Sequence, residues 1–202
     1  GRVFHDHLVE NGYQIILHDK TGIATATRFT LVETVQLDLR SIMNEILQEI
    51  GITEPKIKKG FVETTVSRTQ LLIIENTLIV NIHAKEPKDP EGAKALAIYI
   101  ERIIQKNTPI DGDFIVCSDT NLGKVELLDH FKQTLRPSSI CSLGETRPTT
   151  RKHRSLLQAQ PEKAKKTVTQ PKDLILAKQG TLSNFTITPD LETTTQSLPN
   201  RN

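Results

Sequence analysis

The chain has 202 residues, 36% of them hydrophobic, 25% charged and 4% aromatic. That is enough for one core of ordinary size and a squeeze for two full domains. No apolar run approaches the roughly 20 residues of a membrane span, and a net charge of +2 does not by itself demand a polyanionic partner. The two cysteines, Cys117 and Cys141, cannot build a disulfide framework, and no CxxC spacing suggests structural zinc. No secretory signal is visible, which carries little weight, and the compartment is open with the cytoplasm as default.

Residues 12–18 (GYQIILH) alternate and are rich in β-formers, residues 19–22 (DKTG) are a turn signal, and residues 23–29 (IATATRF) read as a second strand. Together they predict a hairpin. Residues 40–50 (RSIMNEILQEI) put Ile42, Ile46, Leu47 and Ile50 on one helical face, closed by Gly51. Three strand-like runs follow at Phe61–Ser67, Gln70–Ile74 and Thr77–His83, the last two joined by a tight Glu75-Asn76 turn.

A helix is expected over about 91–106, where Ala95, Ile98, Tyr99, Arg102 and Ile103 recur at helical spacing after Pro90. Phe114–Cys117 (FIVC) is continuously apolar, as strands buried on both faces are. Residues 123–135 predict a further helix, ended by Pro137. Strand, helix and strand in this order favour a layered α/β domain over an all-β barrel. From about residue 138 to 172 the composition turns to Ser, Thr, Gln, Pro and basic residues. Asp173–Ala177 (DLILA) reads as one more strand, and residues 178–202 are polar and Thr-rich.

Polar side chains gather where strands end. Asn81, His83 and Lys85 alternate out of TLIVNIHAK and are expected on one face. Asp119 and Asn121 follow the buried strand, again two apart. A carboxylate and an amide so spaced can reach one hard cation or one phosphate oxygen. A nearby imidazole can hydrogen-bond or protonate a phosphoryl oxygen. Taken singly, each has a blander reading: a strand-end His is usually a surface group, and Asp-Thr-Asn is a common turn or helix cap.

The stretch LIVNIHAKEPKDPEGAKALAIYIERI, followed by GDFIVCSDTNLGKVELLDHF, resembles the endonuclease/exonuclease/phosphatase superfamily, the DNase I-like fold. There a strand ends in His, a helix follows, and a buried strand ends in Gly-Asp-x-Asn. Here the motif reads Ser118-Asp119-Thr120-Asn121, with Ser in place of Gly. The hairpin and the late strand opened by Asp173 are also similar to the family's, so the resemblance spans about residues 10–177.

It implies a four-layered α/β sandwich over residues 1–177, with a basic loop at 138–172 and residues 178–202 belonging to the same domain. It also implies phosphoester hydrolysis with Mg²⁺ or Mn²⁺. By the resemblance, Asp119 aligns or deprotonates the attacking water or holds a metal, Asn121 binds the phosphate or that cation, His83 contacts the phosphate, and Asp173 supports the site floor. The family's metal-binding Glu, in a Leu-Gln-Glu before the hairpin, and its closing Ser-Asp-His have no match here. The Leu47-Gln48-Glu49 of this chain falls inside the amphipathic helix and is read as a decoy. The sandwich is therefore expected to be incomplete, a fragment or a degenerate member.

Residues 147–172 carry Arg147, Arg151, Lys152, Arg154, Lys163, Lys165, Lys166 and Lys172 against the single acid Glu162. This is a solvated loop or a phosphate-contacting one, and with no interleaved aromatic it is not a base-stacking platform. Asn81, Lys85, Arg151 and Arg154 are the expected phosphate-binding residues, for a phosphate-containing partner that includes nucleic acid. The substrate among DNA, RNA, inositol phosphates and lipid head groups is open. The competing reading is a non-catalytic interaction module of profilin or roadblock type over residues 12–106. A restriction-nuclease-like core ranks lower, because it needs an acid-x-Lys where this chain has His83-Ala84-Lys85.

Overall fold

The structure, a computed structural model, describes residues 2–18, 21–52, 60–85, 87, 90–120, 140–143, 150–151, 169–170 and 173–178. For 2–4, 140–143, 150–151, 169–170, 173–174 and 178 only the backbone is described. The expected helix over 123–135 and residues 179–202 lie outside this set.

In chain order the elements are α1 (Arg2–Glu10), β1 (Gln14–His18), β2 (Ile23–Thr27), β3 (Val32–Thr34), α2 (Leu39–Glu49), α3 (Phe61–Ser67), β4 (Thr69–Ile74) and β5 (Thr77–His83). Then come α4 (Pro90–Asn107), β6 (Asp113–Asp119), β7 (Ile140–Leu143), β8 (Thr150–Arg151), β9 (Thr169–Gln170) and β10 (Asp173–Lys178). A six-stranded sheet runs in the order β3-β4-β5-β6-β10-β7. β5 and β6 are parallel, as the intervening α4 requires, and the other pairs are antiparallel. β1 and β2 form a separate hairpin, and β8 and β9 a separate two-stranded pair.

Alternation along the strands sorts the sheet into two faces. Leu71, Leu78, Val80, Ile82, Phe114, Val116 and Leu176 point to one side and share a core with Met43 and Ile46 of α2, Phe61 of α3, and Leu96, Tyr99, Ile100 and Ile103 of α4. On the other side lies the hairpin. Thr25 donates from Oγ1 to Gln70 Oε1 (2.7 Å), Gln70 returns a bond to Ile16 O (3.0 Å), and the Asn81 amide donates to Ala24 O (3.1 Å). The described chain is thus an α/β fold with α2, α3 and α4 on one face of a mixed sheet and the hairpin, with α1 beside β1, on the other.

Asp38 caps α2, its carboxylate accepting from Ser41 N at 2.9 Å, a bond of about 1 kcal/mol. Gly51 follows in the left-handed region (φ 71), the stop signal read from sequence. Gly112 enters β6 so closely that a Cβ would stand 2.5 Å from the Asn76 carbonyl.

The expected strand at Phe61–Ser67 is instead helix α3. Its β-branched residues suggested a strand, but Phe61, Val62 and Thr65 bury at helical spacing, and the sheet's share of that segment begins only at Thr69. With that strand gone, the helix–three strands order of a restriction-nuclease core goes too. Short β3 and α1 were not read from the sequence, nor were β7, β8 and β9 inside the polar stretch 138–172.

Candidate active site

The sheet register brings the polar strand ends into one row. Parallel pairing sets His83, the last residue of β5, opposite Asp119, the last of β6. Antiparallel pairing then sets Asp119 opposite Asp173, the first of β10. Neighbouring strands lie about 4.8 Å apart, so three side-chain positions with ionisable chemistry fall side by side at one edge. Two are described to the side-chain tip: His83 Nε2 lies 3.9 Å from Asp119 Oδ2, an ion-pair distance when the imidazole is protonated. His83 is half exposed (50%) and Asp119 about one-third exposed (32%), so both are open to a ligand while the flanking Ser118 and Thr120 are buried.

The backbone under these groups is tied down. His83 N donates to Arg68 O at 3.0 Å and Ala84 N to Asp119 O at 2.9 Å. The end of β5 is therefore stitched to the C-cap of α3 on one side and to β6 on the other. This rigidity is what a site needs, because geometry loose by an ångström loses most of the benefit of proximity.

The remaining expected residues fall elsewhere. Asn81 shares the face of His83, but its amide nitrogen serves the hairpin, through Ala24 O and Thr25 Oγ1 at 3.3 Å. Lys85 departs from the one-face expectation because β5 stops at His83. Its N–H donates to Thr65 Oγ1 (3.3 Å), and its Nζ lies 3.2 Å from where a Cβ on Gly60 would stand, at the head of α3. Arg151 belongs to β8, paired with Thr169 in a sheet separate from the row. Asn121 and Arg154 lie outside the described residues.

Glu49 of the decoy Leu47-Gln48-Glu49 accepts two bonds from Arg102, the shorter 2.6 Å. That hydrogen bond, more than it is opposed by desolvation, holds its carboxyl below the ordinary value. Its role is to tie α2 to α4. Cys117 lies on the face of Asp119, two residues back, and burial pushes its thiol up, which keeps it protonated and unsuited as a nucleophile.

Sequence reading missed Arg68. The Glu75-Asn76 turn sets the β4–β5 register, and continuing it one step past Thr69↔Ile82 puts Arg68 opposite His83. The turn was read from the sequence, so the signal was available.

The metal implied by the resemblance finds an incomplete donor set. Among the described residues no group of three His, Cys, Asp or Glu is placed to hold a metal ion. Asp119 offers a carboxylate and His83 a nitrogen, whereas Mg²⁺ wants near-octahedral oxygen ligands. These residues alone do not fit it.

No family model matches the chain, and no curated protein matches it. Among solved structures, the crystal structure of a D. rerio TDP2 humanized by 14 mutations is similar with a TM-score of 0.41 and 13% identity, over 90% of this chain and 68% of that one. The likeness is too slight to argue from. Among the described residues no helix is long and apolar enough to cross a membrane.

Proposed function

We propose that the chain is the core of a DNase I-like four-layered sandwich and serves a divalent-metal-dependent phosphoesterase, hydrolysing phosphate esters of the nuclease-like kind. The observation that carries this reading is the row at the sheet edge: His83 and Asp119 face each other at the ends of adjacent parallel strands, with Asp173 next in register. A chance pair of polar strand ends need not be in register, and need not be accessible while the residues around it are buried.

The chemistry assigned to these residues is electrostatic. His83 presents a ring N–H donor to a phosphoryl oxygen and stabilises charge as it grows in the transition state. Asp119, close by, holds the imidazole's orientation and accepts a proton from an attacking water, whose oxygen bonds phosphorus as the ester P–O bond breaks and the leaving oxygen takes a proton from solvent. Metal dependence rests on the resemblance alone, and oxygen ligands beyond Asp119 would come from outside the described residues, Asn121 being the nearest in sequence. Arg151, Arg154 and the other basic residues of 147–172 would neutralise a polyanionic substrate. The rival interaction module ends near residue 106, yet β6 and β10 occupy the sheet interior beside β5, which favours the longer unit.

The test is hydrolysis by the full coding-length protein of bis(p-nitrophenyl) phosphate, a labelled oligonucleotide and inositol phosphates, with Mg²⁺ and after chelation. Turnover that chelation abolishes and His83→Gln lowers by about 100-fold or more is expected. No turnover on any of them, or turnover indifferent to both changes, overturns the reading.

A further inference from the structure

We infer that Arg68 is a phosphate-binding residue of this site, the cation that pairs with the substrate's anionic oxygens beside His83. The inference rests on the phosphoesterase reading and adds to it a residue with no counterpart among the motifs that suggested that reading.

Three observations place it. Arg68 closes α3, and its carbonyl accepts the His83 N–H at 3.0 Å, so its backbone is bonded to the residue it would assist. Its neighbour Thr69 is buried toward the helices, donating to Thr65 O (2.8 Å) and accepting from the Tyr99 hydroxyl (3.3 Å). Arg68 itself is the C-cap of α3 (φ −113, ψ 36), one residue outside β4, and its carbonyl bond to His83 N keeps it at the strand end that carries His83. A residue whose carbonyl is hydrogen-bonded across to a strand has its Cα roughly 5.5 Å from its partner's, a span that an arginine side chain covers.

Among the described residues the guanidinium also has no structural occupation. Arg102 binds Glu49, Arg40 pairs with Glu63 and Arg28 stacks over Tyr13. Arg68 is half-buried, and among the described residues its side chain makes no hydrogen bond or ion pair. The Asp119 carboxylate beside His83 repels an incoming phosphate. A fixed planar cation at the end of the row offsets that repulsion and binds two phosphate oxygens at once. The ends of the row then divide the work, Arg68 and His83 on the anionic oxygens and Asp119 on the side of the attacking water.

Inorganic phosphate is the probe. In an NMR titration of the whole chain, it should shift the His83 ring signals and the Arg68 Nε–H signal with one shared affinity. Arg68→Met should weaken that affinity by about 10-fold or more, and Arg68→Lys by less, since Lys keeps the charge but not the fork, with the melting temperature of both variants near wild type. Unchanged affinity in Arg68→Met overturns the inference and leaves the phosphoesterase reading standing. A wild-type His83 that does not respond to phosphate overturns both. If Arg68→Met fails to fold, the wild-type Arg68 Nε–H signal decides: no shift with phosphate overturns the inference.

Discussion

The two faces of the six-stranded sheet come from the same strands and do opposite things. On the helix side, alternate residues of β4, β5 and β6 are apolar and join α2, α3 and α4 in one core that includes Tyr99, Phe61, Met43 and Ile46. On the other side the same strands carry Gln70, Asn81, His83 and Asp119, which dock the hairpin in the middle and leave the ionisable pair open at the edge. Burial concentrates on the first face and the proposed chemistry on the end of the second. Either face can then be perturbed with little consequence for the other.

The largest effect should come from the helix face. Ile103 and Leu96 of α4 are fully buried, and truncating either to Ala should cost about 2–5 kcal/mol in urea unfolding through lost burial and the cavity left behind. Phosphate binding per folded molecule should not change; if it does, the faces are not separate. Next, Gly112→Ala drives a Cβ into the Asn76 carbonyl, backbone that cannot swing aside, and should cost about 1–3 kcal/mol. Asn81→Ala sharpens the division within the polar face. Losing its bond to Ala24 should cost about 1 kcal/mol and raise amide exchange in β1 and β2, with little change in phosphate affinity. A large affinity loss would return Asn81 to the site.

The smallest effect is on the surface between α2 and α4. Arg102 holds the Glu49 carboxyl below its ordinary value, so the folded state binds that proton less readily than the unfolded chain does. The stabilisation is present above the unfolded carboxylate pKa and fades as pH falls through the lowered folded one. Urea midpoints of wild type and Arg102→Gln should therefore differ at pH 7 and draw together at pH 3. An equal gap at both pH values would mean that Arg102 acts through packing.

Most elements long enough to show a period were legible in the sequence. The GYQIILH–IATATRF hairpin, the 40–50 helix and the helix after Pro90 appear where the alternation or the 3.6-residue repeat puts them, and the strands around Val80, Val116 and Leu176 where their apolar runs put them, although β6 buries alternate residues and not both faces. Phe61–Ser67 failed because Val and Thr are β-formers by propensity, and only burial on α3 shows which repeat they serve. The edge strand β3 is three residues long, too short to show a period. In the site, each motif was readable but not its neighbours: His83 against Asp119 needs the parallel register, and Asp119 against Asp173 a second pairing. Lys85 was misplaced because alternation was carried beyond the end of β5. Arg68 was missed because the register set by the Glu75-Asn76 turn has to be followed one step beyond Thr69↔Ile82 to reach it.

The claim that chemistry and stability lie on separate faces meets its most direct test in Asp119→Asn, which keeps the side chain's shape and removes its charge. Hydrolysis with Mg²⁺ and urea unfolding are measured on the same preparation of the full coding-length protein. The prediction is a rate lower by about 100-fold or more with an unfolding free energy within about 1 kcal/mol of wild type. A variant that turns over normally, or one whose lost activity tracks a comparable loss of stability, would contradict it.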